Sequence, residues 1–334
     1  MRLMMFFRIS LCLVVFLFVG IHSNAFAQRV FKEKDKLMGC GFEFTVVAND
    51  LAEGTEYINI ARNEIKRIER LISSWDPSSQ TSTINAKAGI EPVKVSVELF
   101  DLIERSLKVS NLTGGAFDIS YASMDRIWRF DGSMSLMPDK QTVAKSVEKV
   151  GYKNIVLNKS EKTVFLKKKG MRIGFGAIGK GYAADRAKAL LRKRGVTGGI
   201  INASGDLTAW GKQPDGKDWM VAIVNPMNKK KVFSWMPLDG RAVVTSGDYE
   251  KFVTLEGKRY SHIIDPRTGY PSHGTVSVTV ITRNAEIADA LATSIFVMGP
   301  KVGLDLVNQL KGIDCIIVDE RGKVRASDNL QLNQ

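Results

Sequence analysis

The fold class is decided near the end of the chain by the stretch CIIVDERGKVR, residues 315–325. Residues 315–318 are apolar, Gly322 marks a turn, and residues 323–325 lead back in the opposite direction. Two short runs around a glycine are typical of a β-hairpin, whose strands are antiparallel. A second hairpin is predicted where residues 162–165 and 171–173 flank another glycine. Hairpins interspersed with helices predict an α+β fold with mainly antiparallel sheets, and not a doubly wound parallel sheet.

The spacing of apolar residues predicts the other helices and strands. In residues 54–72 they recur every three or four positions, as on the buried face of a helix, whereas residues 42–46 alternate as in a strand. Similar patterns predict helices at residues 97–109, 181–194, 285–297 and 302–310 and strands at residues 199–203, 219–224, 242–245, 251–255 and 275–281. Residues 73–89 are rich in Ser, Thr, Asn and Pro, which predicts a loop. No linker divides residues 28–334, so we expect one large domain or two fused lobes.

The N-terminal residues have the pattern of a secretory signal peptide. Arg2 and Arg8 accompany an apolar run over residues 9–21, and Ala25-Phe26-Ala27 places small residues two apart, as at a cleavage site. We therefore expect a signal peptide over residues 1–27 and export to the periplasm. The apolar run is shorter than the roughly 20 residues of a spanning helix, so an uncleaved anchor in the inner membrane is the less favoured alternative.

Composition restricts the partners of the protein. The formal net charge is +13, and removal of the two N-terminal arginines lowers it to +11. The basic residues are scattered and are not interleaved with aromatic ones, so we predict no nucleic-acid partner, although a small polyanion would be attracted. Cys40 and Cys315 remain after cleavage, and the sequence leaves open whether they form a disulfide or stay as free thiols.

Two glycine-rich segments are candidates for ligand binding. The first is TGGAFD, residues 113–118, where Asp118 would either hold a hydroxyl or amine of a ligand or cap a tight turn. The second is GFGAIGKGY, residues 174–182, which leads into a predicted helix, so its amides and Lys180 would favour a phosphate. Its match to GxGxxG is weak by itself. A further glycine segment, residues 202–206, can pack against this loop.

Two more segments supply candidate chemical groups. His262 is followed three residues later by Asp265, and the pair would act as a proton shuttle or belong to a rigid turn. Asp289 and Thr293 are four residues apart in a predicted helix and share one face. Their oxygens suit magnesium and not zinc, although an exposed Asp beside a helix-bonded Thr is the alternative. Together the four segments predict phosphoryl-type transfer at a pyrophosphate.

Six motifs, in order along the chain, resemble the ApbE family of FAD:protein FMN transferases. They are Met38-Gly39, Thr113-Gly-Gly-Ala-Phe-Asp118, Gly179-Lys-Gly-Tyr-Ala-Ala-Asp185, Thr245-Ser-Gly-Asp-Tyr249, His262-Ile-Ile-Asp-Pro-Arg-Thr-Gly269 and Ala288-Asp-Ala-Leu-Ala-Thr293. The resemblance covers nearly all of residues 28–334, and six ordered motifs are far more specific than any one of them. It implies a two-lobed unit that binds FAD in a cleft between its lobes.

The resemblance also implies roles for individual residues. Asp289 and Thr293 would bind Mg²⁺ together with the backbone oxygen of Ala177. His262 would deprotonate the acceptor, and Asp265 would orient it. Contacts with FAD are implied for Met38, Trp75, Ala116, Phe117, Asp118, Lys180 and Ile263. FMN would pass to a Ser or Thr hydroxyl of an exported flavin-accepting redox protein or subunit, AMP would leave, and membrane contact would occur only through that acceptor or an uncleaved signal peptide.

Two positions depart from the family's usual pattern. Gly174 stands where an Asp is usual, and that Asp is expected to contact the adenosine part of FAD or the surroundings of the metal. Cys40 stands where Thr is usual. A thiol is a weaker hydrogen-bonding group than a hydroxyl. Gly174 keeps two alternatives open, which are a magnesium-dependent FAD hydrolase that yields FMN and AMP and a non-catalytic exported FAD-binding protein.

Overall fold

The computed structural model of the chain describes residues 28–227, 232–238, 240–248, 252–255 and 257–330. The predicted signal peptide, residues 1–27, lies outside this range. None of the helices in the described residues combines the length and the apolar character needed to cross a membrane. Cys40 and Cys315 are free thiols, and burial raises the pKa of Cys315 to about 12. The question of a disulfide, which the sequence left open, is thereby answered.

An eight-stranded sheet forms the centre of the molecule. In spatial order its strands are β1 (Arg29–Leu37), β2 (Cys40–Ala48), β6 (Gly199–Ala203), β7 (Asp206–Trp210), β10 (Ala242–Gly247), β13 (Thr275–Thr282), β14 (Asp314–Asp319) and β15 (Val324–Ala326). Every strand pairs antiparallel with its neighbour. The hairpin predicted around Gly322 is confirmed as β14 and β15, and so is the α+β class with mainly antiparallel sheets.

Three smaller sheets accompany the main one. They are formed by β3 (Val93–Lys94), β5 (Thr163–Leu166) and β4 (Ile155–Asn158), by β8 (Met220–Val224) and β9 (Val232–Pro237), and by β11 (Phe252–Leu255) and β12 (Lys258–Ser261). The hairpin predicted over residues 162–173 is wrong, because β5 pairs with the preceding β4 and residues 171–173 form no strand. The turn of the real hairpin contains no glycine. Lys162 adopts a left-handed φ of 56° there, so the glycine at position 170 pointed to the wrong turn.

Seven α-helices lie within the described residues. They are α1 (Leu51–Ile72), α2 (Gln80–Ala86), α3 (Val97–Leu112), α4 (Lys140–Ser146), α5 (Gly179–Lys193), α6 (Ala285–Met298) and α7 (Pro300–Val307). The five predicted helices are confirmed with shifted ends. The loop predicted over residues 73–89 is wrong in its second half, where α2 forms with the hydroxyl of Ser79 accepting a hydrogen bond from the Ser82 amide. The polar residues that suggested a loop therefore include a helix cap.

The main sheet is buried on both faces. Successive residues of a strand point to opposite faces, so Val46 and Val280 pack against α1, α5 and α6, while Val47 and Ile281 pack under the β8–β9 ribbon. A third cluster, around Trp128, joins α4 to β11 and β12 and forms the core of a second, smaller lobe. The space between this lobe and the helices of the main lobe is where the functional site lies.

Candidate active site

A cleft of about 570 Å³ separates the two lobes. The loop before α5, the end of β10 and one face of α6 supply its wall on the main lobe, and residues 116–130 and 262–266 supply much of the rest. Its aromatic lining consists of Trp75, Phe117, Tyr121, Trp128 and Phe130. A volume of this size, with apolar walls and a few polar groups, is typical of a small-molecule site.

Most of the predicted site residues come together in this cleft. Those that line it are Trp75, Ala116, Phe117, Asp118, Ala177, Lys180, His262, Ile263, Asp289 and Thr293. Met38 does not line the cleft but packs against the main core beside Gly179. Asp265 is turned to its own loop, where its carboxylate accepts hydrogen bonds of 2.9 and 2.8 Å from the guanidinium of Arg267. The motif order in the sequence thus located the cleft, but not every side chain in it.

Gly181 determines how closely α5 and α6 approach each other. A Cβ atom at this position would lie 2.1 Å from the backbone oxygen of Ala285, so a larger residue does not fit. The close approach allows the amide of Gly181 to donate a hydrogen bond of 3.1 Å to the carboxylate of Asp289. The first turn of α5 therefore directs an amide and its positive dipole end at Asp289.

Lys180, Asp206 and Asp289 form a buried group that we call the Lys180 cluster. The ammonium of Lys180 lies 2.6 Å from the carboxylate of Asp206, and Asp206 and Asp289 are only 1% and 3% exposed. Burial raises the pKa of Asp289 well above its ordinary value and the nearby Asp206 raises it further, against the opposing effects of Lys180 and the Gly181 amide. Burial would lower the pKa of Lys180, but the two carboxylates outweigh it and raise that pKa. One ammonium faces two carboxylates, so the ionised cluster is negative.

The same wall suits a divalent cation. The hydroxyl of Thr293, one helical turn from Asp289, lies 3.3 Å from that of Ser246, and Ala177 also lines this part of the cleft. Two neighbouring buried carboxylates that share a single ammonium are costly, and a bound cation would offset that cost. Within the described residues no group of three or more His, Cys, Asp and Glu side chains is arranged to hold a metal. The donors at this wall are oxygens, which magnesium prefers.

His262 lies on the loop that follows β12 and is partly buried. Burial raises the pKa of Asp248, and the charges of Arg259 and His262 lower it, which places Asp248 within electrostatic reach of the imidazole. Arg259 donates a hydrogen bond of 3.0 Å to the backbone oxygen of Asp248. The charge of Asp248, directly after β10, therefore acts on His262, and the Asp248 carboxylate also lies 3.5 Å from the guanidinium of Arg259. The carboxylate of Asp265 is held by Arg267.

Asp118 lines the cleft, but its carboxylate is already bonded to the protein. It accepts hydrogen bonds from the amide and hydroxyl of Ser120, at 2.7 and 2.6 Å, and from the amide of Tyr152 at 2.7 Å. Burial raises the pKa of Asp118, and these hydrogen bonds oppose the increase. Asp118 therefore caps the short 3-10 helix over residues 119–123, as the second alternative from the sequence had it.

Several cleft residues were missed by reasoning from the sequence. The guanidinium of Arg126 lies 4.5 Å from the ring centroid of Trp75, and the hydroxyl of Tyr121 accepts a hydrogen bond of 3.2 Å from the Gly176 amide. Asp206 was noted only as part of a glycine segment. Ser204 and Gly205, both with positive φ, form the tight turn that places Asp206 opposite Lys180, and this turn was the available signal.

The two unusual positions both border the cleft wall. A Cβ atom on Gly174 would lie 3.1 Å from that of Ala122, so this neighbour would have to shift to admit an aspartate. Cys40 is partly buried. Burial raises the pKa of its thiol and the charge of Lys180 lowers it, which places Cys40 beside the Lys180 cluster.

Comparison with known proteins identifies relatives over nearly the whole chain. The family model described as "ApbE family" matches residues 38–317. A Klebsiella pneumoniae protein named FAD:protein FMN transferase is 31% identical over 295 residues, which are 86% of this chain and 84% of that protein. The crystal structure of an ApbE protein from Thermotoga maritima, 31% identical, superposes with a TM-score of 0.81 over 90% of this chain and 97% of that one. The apo flavinyl transferase ApbE of Pseudomonas stutzeri, 25% identical, superposes with a TM-score of 0.80 over 90% and 95% of the two chains.

Proposed function

The chain belongs to the ApbE family, and we propose that it moves FMN from FAD to a Ser or Thr hydroxyl of an exported protein and releases AMP. It is an enzyme of the flavin-transferase type, since the relatives that match most of its length are named FAD:protein FMN transferases. Magnesium is inferred from the oxygen donors at the cleft wall and from the family resemblance, and the hydroxyl acceptor and the AMP leaving group are inferred from the resemblance alone. One observation carries the proposal, namely that Asp289, Thr293, Lys180 and His262 all line a single aromatic-walled cleft.

Asp289, Thr293 and the backbone oxygen of Ala177 would hold a magnesium ion. When bound, the ion would neutralise the diphosphate of FAD and stabilise the charge that develops on the leaving oxygen. Lys180 adds positive charge to this wall, but Asp206 holds its ammonium at 2.6 Å. The charge of Lys180 offsets the two buried carboxylates and would be shared with a phosphate bound in the cleft.

The aromatic walls would bind the ring systems of FAD. The side chain of Trp75 is 73% exposed and carries Arg126 over one face of its ring, so the other face is available to a flat ring. Phe117, in contrast, is a buried member of the cleft lining that also belongs to the main core. Stacking on Trp75 would orient the dinucleotide and leave its diphosphate near α6.

In the proposed reaction the acceptor oxygen attacks the phosphorus atom of the FMN half of FAD. A P–O bond forms to the Ser or Thr oxygen, the P–O bond of the diphosphate bridge breaks, and AMP leaves with the electron pair. The hydroxyl proton passes to His262, which we assign as the base. Asp248 would stabilise the resulting imidazolium through its charge. The carboxylate of Asp265, which the family resemblance implied for orienting the imidazole, is bound by Arg267 in this structure.

Mass spectrometry tests the proposed function. Residues 28–334 would be incubated with FAD, magnesium and a flavin-accepting domain. We expect the domain to gain one esterified FMN on a Ser or Thr, with one AMP released per FMN attached. Free FMN without a gain of mass by the domain would identify an FAD hydrolase instead, and unchanged FAD would contradict the proposal.

Replacing the assigned base tests the role of His262. His262→Ala is expected to slow transfer at least about a hundredfold, because general-base catalysis contributes this much, and to leave the Kd for FAD nearly unchanged. His273→Ala, at the other histidine of the described residues, is exposed and serves as the control with normal transfer. An equal loss of FAD binding and transfer in His262→Ala would mean that the imidazole has a structural role.

A further inference from the structure

Two segments next to the cleft carry an unusual density of exposed positive charge. One runs from the end of α4 to residue 153, and the other is the turn between β5 and the loop before α5. Together they form a surface that we call the basic patch, and all of its residues are exposed: Lys145, Lys149, Lys153, Lys167, Lys168, Lys169 and Arg172. The sequence showed only the run at residues 167–169, because the other members lie apart from it along the chain.

The two segments pack side by side. The ammonium of Lys168 donates a hydrogen bond of 2.7 Å to the backbone oxygen of Glu148, and the amide of Lys167 donates one of 2.9 Å to that of Asn154. A Cβ atom on Gly170 would lie 3.8 Å from the side chain of Lys149. The lysines of both segments therefore share one surface.

The basic patch is attached directly to the wall of the cleft. The amide of Tyr152 is bound by Asp118, and the amide of Arg172 donates a hydrogen bond of 2.7 Å to the hydroxyl of Ser123. Asp118 and Arg172 both line the cleft. A molecule that lies on the basic patch is thus held beside the cleft.

The positive charges of the basic patch are not compensated within the described part of the chain. None of its seven basic groups lies within 4.0 Å of a carboxylate oxygen there, whereas the nearby Lys159 and Lys162 contact Glu104 and Asp101. The exposed carboxylates of Glu148 and Asp125 border the patch without forming such pairs. Like charges at this density repel one another, and an acidic partner surface would relieve the repulsion.

We propose that the basic patch docks an acidic face of the flavin-accepting protein and holds its hydroxyl at the cleft mouth. This rests on the proposed function, in which the second substrate is a protein. FAD does not account for the basic patch, because the patch is an outer surface that extends over two segments beyond the cleft. Complementary charges would steer the acceptor and speed its association.

Charge reversal tests the docking. The variant Lys149→Glu/Lys168→Glu/Lys169→Glu would be compared with Lys66→Glu/Lys301→Glu/Lys311→Glu, which changes the net charge equally at exposed lysines elsewhere. The probes are a soluble flavin-accepting domain of negative net charge and a short uncharged peptide that contains its acceptor residue. The patch variant is expected to raise KM for the domain at least about tenfold, with unchanged kcat, Kd for FAD and transfer to the peptide. About 0.5 M NaCl should raise the wild-type KM towards that of the variant.

The outcomes separate the docking proposal from the proposed function. An unchanged KM for the domain in the patch variant would overturn the docking, whereas absence of transfer by the wild type to both probes would overturn the proposed function. A second outcome would also overturn the docking. If the wild type sediments with phosphatidylglycerol vesicles, only the patch variant fails to do so, and the KM for the domain is unchanged, the basic patch binds a membrane. If the triple variant does not fold, Lys149→Glu and Lys169→Glu singly must each raise KM about twofold.

Discussion

Two clusters in this molecule combine basic side chains with carboxylates, and they shift the carboxylate pKa values in opposite directions. In the first, which we call the Arg67 network, Arg67 donates two hydrogen bonds to Glu64 and two to Glu98, all between 2.7 and 2.8 Å. These hydrogen bonds lower the pKa of both glutamates. In the Lys180 cluster, burial raises the pKa of Asp289 instead. In the Arg67 network two guanidiniums face two glutamates, because Arg186 lies 3.4 Å from Glu64 and 3.3 Å from Glu98. In the Lys180 cluster two carboxylates share the single positive charge of Lys180.

The difference between the two clusters reflects what each one does. The Arg67 network connects α1 and α3, and Arg186 and Tyr182 extend it to α5, so it holds three helices of the main lobe together. The Lys180 cluster lines the cleft, and burial and the nearby Asp206 raise the pKa of Asp289 there, so that a cation at this wall would favour its ionised form. A satisfied network stabilises the fold, and an unbalanced one is available to a cation. Three substitutions would sharpen or break this comparison.

The largest effect is expected for Asp289→Asn. Loss of the buried carboxylate should reduce FMN transfer by at least about a hundredfold, because a group that stabilises developing charge contributes this much or more. The Tm should stay the same or rise, since a costly buried charge is removed. Transfer would be measured by mass spectrometry and Tm by calorimetry. Normal transfer in this variant would show that the Lys180 cluster is structural, like the Arg67 network.

A smaller effect, on stability, is expected for Arg67→Met. Two carboxylates lose their main partner and keep Arg186 at 3.3–3.4 Å, so the free energy of unfolding should fall by about 2 kcal/mol, less than for a fully buried pair. The expected loss is smaller than for a buried pair because the Arg67 side chain is 40% exposed, and solvent weakens its ion pairs. Denaturant unfolding measures the change, and Lys66→Met on the same helix is the exposed control. Loss of transfer at a temperature where Arg67→Met is folded would contradict the division between the two clusters.

The smallest effect concerns pH. The pKa of Glu98 lies below its ordinary value of 4.5 in the folded protein, so the folded state binds fewer protons than the unfolded state. The resulting stabilisation is complete above pH 4.5 and is lost as the pH falls through the lower, folded pKa. Glu98→Gln should therefore make Tm fall less steeply below pH 4.5. The corresponding change in the free energy of unfolding is less than about 1 kcal/mol, because the ion pair is partly exposed. Glu91→Gln, at an exposed site, should keep the wild-type profile, and an unchanged slope in Glu98→Gln would remove the assigned linkage.

Local patterns predicted much of the fold and the position of the cleft. The apolar stripe of α1 and the hairpin of β14 and β15 were readable because each depends on neighbours in sequence. The failures have the same origin. The glycine at position 170 suggested a hairpin turn, but β5 pairs with the preceding β4 instead. The polar residues before α2 suggested a loop, but one of them, Ser79, caps the helix.

The sequence by itself predicted most of the motif residues that meet in the cleft, although Met38 and Asp265 do not line it. Asp289 and Thr293 were predictable as a pair because they are four residues apart on a helix and share one face whatever surrounds them. Only the tertiary structure decided their partners. It brought Asp206 to Lys180 and Asp248 within reach of His262. Arg267 and Asp265, in contrast, are only two residues apart and meet within their own loop. The tertiary structure also joined two separate runs of lysine into the basic patch. Charge and hydrogen bonding depend on distances of a few ångströms between residues far apart in the chain, and packing alone determines those distances.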